Sequence, residues 1–264
     1  MEIEGKIVVV TGGASGIGEA LCNAFHQVGA RMVVVADIDV PGAQAVAAHI
    51  DGVAVGCDVS SEQQIRHLIA ETEAHHGPID LFCSNAGIAS GFDNSFENAA
   101  AAPDDVWQKA WAINVMAHVR AARILIPLMK ARGGGYLLNT ISAAGLLSQI
   151  GSAVYSTTKQ AAVGFAENIA ITHMDDGIRV SILCPQGVDT PMLRGLPEGP
   201  QSGDGVMTAA EVAACALAGV RAEQFLILPH QEVETYVRRK GEDRERWIGS
   251  MMRLKRKIAE AQAR

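Results

Sequence analysis

Lys6-Ile-Val-Val-Val-Thr-Gly-Gly-Ala-Ser-Gly-Ile-Gly18 sets a β-branched apolar run directly before a glycine-rich turn, and a helical pattern opens at once behind it. Glycines let the main chain turn tightly and approach an anion closely, while the unpaired N–H groups of a helix start offer donors and a positive dipole end. The bland alternative is a tight strand-to-helix turn with no ligand. Gly12, Ser15, Gly16, Ile17 and Gly18 are the candidate pyrophosphate cradle. A second run, Arg31-Met-Val-Val-Val-Ala-Asp37, ends in an acid about 20 residues beyond the loop, where a carboxylate accepts hydrogen bonds from both hydroxyls of an adenosine ribose. The same carboxylate repels a 2′-phosphate. No Lys or Arg lies within 11–18 or directly after Asp37, so the expected cofactor is NAD rather than NADP.

This beginning is repeated along the chain. Short β-branched runs at 6–11, 31–37, 53–58, 81–85, 135–142, 179–185 and 224–228 alternate with helical patterns at 16–28, 41–49, 62–75, 104–132, 154–174 and 208–219. Strands separated by crossover helices pair in parallel, and right-handed crossovers wind helices onto both faces of the sheet. The fold class predicted is therefore α/β, a single doubly wound Rossmann domain with a seven-stranded parallel sheet, over 1–230. A helical extension over 231–264 packs on the same or a neighbouring subunit. The irregular stretches 88–102 and 191–207 are long for such a fold, and long loops beyond strand ends are usually functional.

At 264 residues, 48% of them hydrophobic and 19% charged, the chain has enough apolar surface for one sizeable core. The net charge of −7 opposes binding to phosphate backbones, so no nucleic-acid partner is expected. The balance is uneven: residues 1–237 hold 12 basic and 25 acidic side chains, whereas 238–264 hold 10 and 4. Five cysteines form no CxxC and read as buried free thiols. The N-terminus lacks the basic-then-apolar order of a signal peptide, and no uncharged apolar run approaches the roughly 18 residues of a membrane span. A cytoplasmic protein with no membrane partner is expected. His75 and His76, beside Gly77-Pro78, read as a helix end rather than metal ligands, and no metal site is expected.

Further signals join the loop in order. Asn85-Ala-Gly87 follows the fourth strand, Asn114 lies mid-helix in Trp111-Ala-Ile-Asn-Val115, Ser142 ends the fifth strand, and Tyr155-Ser-Thr-Thr-Lys159 begins a helix. Residues i and i+4 share a helix face, so the Lys159 ammonium can lie beside the Tyr155 phenol and favour its phenolate. A free phenol titrating near 10 is a poor base at neutral pH; one beside Lys⁺ and an oxidised nicotinamide approaches the operating range. With TGxxxGxG, NAG and an Asn, Ser, YxxxK set in this order, the sequence resembles the short-chain dehydrogenase/reductase family from about residue 5 to 192.

The resemblance implies a catalytic tetrad of Asn114, Ser142, Tyr155 and Lys159. Tyr155 is then the general acid/base, Ser142 the hydrogen-bond partner of the substrate oxygen, Lys159 also the holder of the nicotinamide ribose, and Asn114 the anchor of a relay water. It places Ile38, Asp58 and Val59 near the adenine, Asn85, Ala86 and Gly87 beside the adenosine, and Pro185, Val188 and Thr190 at the nicotinamide carboxamide. Pro185-Gln-Gly-Val-Asp-Thr190 departs from the usual Pro-Gly at Gln186, which either alters the turn or brings an amide to the substrate. The reaction implied is interconversion of a largely apolar secondary alcohol and its ketone; the alternative is a non-catalytic NAD-binding regulatory or structural protein on the same fold.

Around the tetrad, Leu146, Leu147, Ile150, Met192 and Leu193 are the expected substrate walls. Arg194 is a lone candidate for an anion, and Ser142, Leu147, Tyr155, Gln186 and Met192 are the expected substrate contacts. The resemblance also implies a homodimer or homotetramer built on the helices at 104–132 and 154–174. In the tail, Trp247, Met251, Leu254 and Ile258 recur at helical spacing as one apolar stripe. That stripe reads as an assembly or pocket-lid element, with a membrane-surface helix as the other possibility.

Overall fold

The computed structural model describes residues 1–262 apart from 94, 197 and 198, so those three positions of the two long loops lie outside the description. A seven-stranded sheet runs in the order β3-β2-β1-β4-β5-β6-β9. Its strands are β1 (Ile7–Thr11), β2 (Met32–Asp37), β3 (Val53–Gly56), β4 (Leu81–Ser84), β5 (Gly135–Thr140), β6 (Ile178–Leu183) and β9 (Leu226–Ile227). Every neighbouring pair is parallel. Successive strand residues point to opposite faces, so Val8 and Val10 enter one core while Val9 enters the other. The first core takes α1 (Gly16–Gln27), α2 (Val40–His49) and α8 (Ala209–Arg221); the second takes α3 (Glu62–His75), α5 (Met116–Ala131) and α6 (Ala153–His173). Apolar runs with no polar alternation, such as the fully buried β1, are what a sheet covered on both faces demands. Each such Val or Ile contributes roughly 1.5–3 kcal/mol by leaving water.

Several boundaries differ from the expectation. The strands predicted to reach Asp58, Asn85 and Ser142 stop two, one and two residues earlier, at Gly56, Ser84 and Thr140. Beyond the end of β4 a side chain takes over the main-chain hydrogen bonds: Thr11 Oγ1 accepts from the N–H groups of Asn85 and Ala86. The helix predicted over 104–132 is two helices, α4 (Asp104–Asn114) and α5, interrupted at Val115 with φ −120° and ψ −59°. Arg120 stabilises the break by donating to the Ala112 carbonyl at 2.9 Å and to the Val59 carbonyl at 3.3 Å. By length and composition alone Asp104–Ala131 could cross a membrane. Here the break divides it, and Ala117, Ala121, Ala122, Leu125 and Met129 are buried in the core.

Two short strands were not anticipated: β7 (Val188–Asp189) and β8 (Met207–Thr208) pair in parallel and pin both ends of the 191–207 segment. Within it α7 (Pro191–Arg194) starts at Thr190, whose hydroxyl accepts from the Leu193 N–H. The tail forms α9 (Glu232–Glu242) and α10 (Arg244–Gln262).

Candidate active site

β1 and β4 are sheet neighbours although β2 and β3 lie between them in the chain, so the crossovers diverge at their carboxyl ends and leave a crevice. A cavity of about 1180 Å³ opens there. That exceeds the 300–1,000 Å³ or so of a typical small-molecule pocket, leaving room for a dinucleotide and a second ligand. One end is lined by Gly12, Ser15, Gly16, Ile17, Asp37, Ile38, Asp58, Val59, Asn85, Ala86 and Gly87, all anticipated from the sequence. Gly18, also expected in the cradle, lies behind the lining residues in the buried first turn of α1. Gly12 has φ +65°, and a Cβ there would sit 2.8 Å from the Ala86 Cα. Only glycine lets these two loops come together.

Asp37 stands at the end of β2 with its carboxylate fixed: one oxygen accepts from the Ala14 N–H at 3.0 Å and the other from the Asp39 N–H at 2.9 Å. Asp58 is likewise held, accepting from the Ser60 N–H at 2.8 Å. These fixed acceptors, with a glycine turn at a helix start, suit the ribose, adenine and pyrophosphate of a dinucleotide. Among the described residues no group of His, Cys, Asp and Glu could hold a metal.

At the middle of the cavity Ser142, Tyr155, Lys159, Pro185, Gln186, Val188 and Thr190 converge. Ser142 begins the 3-10 turn Ala143–Gly145, and its Oγ accepts from the Ala144 N–H at 3.1 Å. Tyr155 and Lys159 lie in the first turns of α6, capped by Ser152, which accepts from the Tyr155 N–H at 3.0 Å. The Lys159 ammonium stands 5.6 Å from the centre of the Tyr155 ring. Gly87 permits this crowding, since a Cβ there would lie 3.3 Å from both Lys159 Nζ and Asn114 Oδ1.

The titration behaviour differs from the simple expectation. Burial raises the Tyr155 phenol above its usual 10, opposed by hydrogen bonding to Ser142. Burial also pushes Lys159 down to about 8. Lys159 remains mostly charged at neutral pH, yet it does not by itself bring the phenol into the working range, because desolvation penalises both charged forms. His118 was missed in the sequence, where it looks like one residue of an apolar helix face. It is 2% exposed, neither ring nitrogen has a well-formed hydrogen bond among the described residues, and burial together with Lys159, opposed by Asn139, drives it down to about 3. It is therefore neutral.

Asn114 is not mid-helix but the last residue of α4. Its Oδ1 accepts from the Ile88 N–H at 2.9 Å, while Nδ2 donates to the Ile88 carbonyl at 2.9 Å and to Thr158 Oγ1 at 3.2 Å. The side-chain amide is thus committed to protein partners. It fixes the turn after Gly87 to the helix end.

In the outer part of the cavity Leu147, Met192 and Leu193 form walls as expected. Leu146 instead packs into the core, and Ile150 is not among the lining residues. Arg194 is not a spare cation, because it pairs with Asp189 at 2.9 Å. Gln186 lines the cavity; its N–H donates to His230 Nδ1 at 3.2 Å, and its Oε1 is buried without a partner among the described residues. The residues most underestimated come from the tail. Tyr236, Arg239, Trp247, Met251 and Leu254 all line the cavity, and the helical spacing of Trp247, Met251 and Leu254 was the signal for them.

The model of the short chain dehydrogenase family matches residues 6–201. A 1-deoxy-11-beta-hydroxypentalenate dehydrogenase of Streptomyces exfoliatus is 31% identical over 251 residues, covering 92% of this chain and 90% of that protein. The (+)-borneol dehydrogenase 1 of Salvia officinalis is 34% identical over 195 residues, 73% of this chain and 74% of its own. Among solved structures, a short chain dehydrogenase/reductase from Burkholderia phymatum in complex with NAD superposes with a TM-score of 0.82 at 25% identity, covering 93% of this chain and 96% of that one. A match across three quarters of the sequence, a common fold and relatives that oxidise or reduce CH–OH groups leave one assignment: the chain belongs to the short-chain dehydrogenase/reductase family.

Proposed function

We propose that the chain is an NAD-dependent oxidoreductase that interconverts a largely apolar secondary alcohol and its ketone, with Tyr155 as general acid/base. The observation that carries this reading is the convergence of Ser142, Tyr155 and Lys159 on the same cavity that the glycine loop enters. In the oxidising direction Ser142 holds the carbinol oxygen and Tyr155, as phenolate, takes its proton while the C–H electron pair departs as hydride. When bound, the nicotinamide supplies the acceptor for that hydride. Lys159 favours the phenolate and holds the ribose; Pro185, Val188 and Thr190 orient the carboxamide. Gln186 stands at the substrate end of the cavity, and Leu147, Met192, Trp247, Met251 and Leu254 enclose an apolar body. A bulky cyclic alcohol fits such walls, as do the names of the pentalenate and borneol relatives.

The NAD preference rests on Asp37, which a 2′-phosphate would face directly. Like-charge contact of this kind costs several kcal/mol, or about 100-fold in kcat/KM. Turnover with NAD⁺ is therefore expected to exceed turnover with NADP⁺ by at least that factor, and Asp37→Ser is expected to shrink the gap. Equal use of both dinucleotides by the unaltered chain refutes the assignment.

We further propose a homodimer or homotetramer. Trp111, Leu128, Ile171 and Met174, on or beside α4, α5 and α6, are 38–82% exposed, and large apolar side chains grouped on neighbouring helices favour association. Light scattering on the eluting protein is expected to give a multiple of 27.8 kDa; a monomer at micromolar concentration contradicts it.

A further inference from the structure

Lys240 projects from α9 onto the turn that follows Ser142. Its Nζ donates to the carbonyl oxygens of Leu146 and Leu147 at 2.5 and 2.7 Å. The 3-10 turn Ala143–Gly145 ends at Leu146, and carbonyls at such an end lack intrahelical donors, so an ammonium there both satisfies them and complements their partial negative charge. The rest of the segment is tightly bonded: the Ala143 N–H donates to the Pro185 carbonyl, and the Gly145 N–H to that of Ser142. A displacement of 146–147 is therefore transmitted to Ser142.

Apolar contact alone would dock the tail. Val233 is fully buried against Ala143 and Leu147, with Tyr236, Val237 and Trp247 packed on the same cluster. Such burial is non-directional and does not set register. Two hydrogen bonds from one charged, half-buried group do.

We propose that Lys240 is a positioning residue: by clamping α9 to the turn that begins at Ser142, it holds Ser142 in place in the cavity that it shares with Tyr155. The proposal rests on the reaction assigned above. It makes the C-terminal extension part of the catalytic framework as well as a cavity wall.

The test compares Lys240→Met and Lys240→Arg with the unaltered full-length chain. Misplacement of a catalytic group by about 1 Å costs up to 100-fold, so Lys240→Met is expected to lower kcat by about 10- to 100-fold with little change in the KM for NAD⁺. The acidic limb of its pH–rate profile for alcohol oxidation should move upward, since Tyr155 acts there as phenolate and hydrogen bonding from Ser142 favours that form. Lys240→Arg, which keeps donors and charge, should recover part of kcat. Amide hydrogen exchange over 142–147 should quicken in Lys240→Met alone. Faster exchange with an unchanged kcat and pH profile shows a merely structural contact and overturns the proposal, as does unchanged exchange. If the unaltered chain turns over no alcohol, the reaction reading fails and the positioning role with it; the exchange data then still decide whether the clamp itself exists.

Discussion

Tyr155→Phe is expected to reduce kcat by about 10²- to 10⁴-fold, the usual contribution of a positioned general acid/base, while NADH binding falls far less. The substitution removes one oxygen and leaves the ring, so α6 and its Ser152 cap remain intact. The oxygen lost is the group that must carry the proton. Ser142 cannot replace it, because a hydroxyl that is hydrogen-bonded and not acidified has no comparable tendency to ionise. Stopped-flow turnover and fluorescence titration of NADH on the same preparation separate the two effects. Loss of binding in parallel with loss of turnover would show that Tyr155 holds cofactor rather than moving a proton.

Lys159→Met is expected to abolish measurable turnover and at the same time stabilise the fold. Lys159 is 4% exposed, and burial moves it from 10.5 to about 8. The unfolded chain thus binds the proton more readily between about pH 8 and 10.5, and stability rises with pH through that window. Below it, keeping the ammonium buried costs about 3 kcal/mol. Methionine has nearly the same length and no charge, so the variant avoids this cost at neutral pH. Each kcal/mol is worth about 2–4 °C in a domain of this size, and a rise in Tm of several degrees is expected by calorimetry at pH 7. The advantage should vanish above pH 10.5, where the wild-type amine is neutral in both states. An unchanged or lower Tm at pH 7 contradicts the placement of an uncompensated charge beside Tyr155. On the proposed reaction this cost is tolerated because the same charge serves catalysis.

How much of this was legible before the structure depended on the range of the interaction. β1, the glycine turn and α1 are written in contiguous residues, and so are the i, i+4 spacing of Tyr155 and Lys159 and the acid at the end of β2. The break at Val115 is not, because it depends on Arg120 reaching back eight residues to the Ala112 carbonyl and on Asn114 bonding Ile88, 26 residues away. Arg194 looked free until the fold brought Asp189, five residues before it, alongside. The tail gave half of its meaning: the stripe Trp247, Met251, Leu254 and Ile258 was visible, and the direction it faces was not. Its first three members line the cavity, and the basic character of the segment includes Lys240, whose charge is spent on two carbonyls near Ser142. His118 left no local trace, since only burial distinguishes it from an ordinary helix residue.

The most direct test of the central claim follows a labelled atom. The full-length protein is incubated with NAD⁺ and a cyclic secondary alcohol carrying deuterium on its carbinol carbon, across a panel that includes borneol. Deuterium is expected on the nicotinamide ring of the NADH formed, with the ketone accumulating in equal amount. Tyr155→Phe is predicted to bind NAD⁺ and to transfer almost none. Binding of NAD⁺ by the unaltered protein with no transfer from any alcohol, and no difference between it and Tyr155→Phe, would contradict the account and leave a dinucleotide-binding protein without the chemistry.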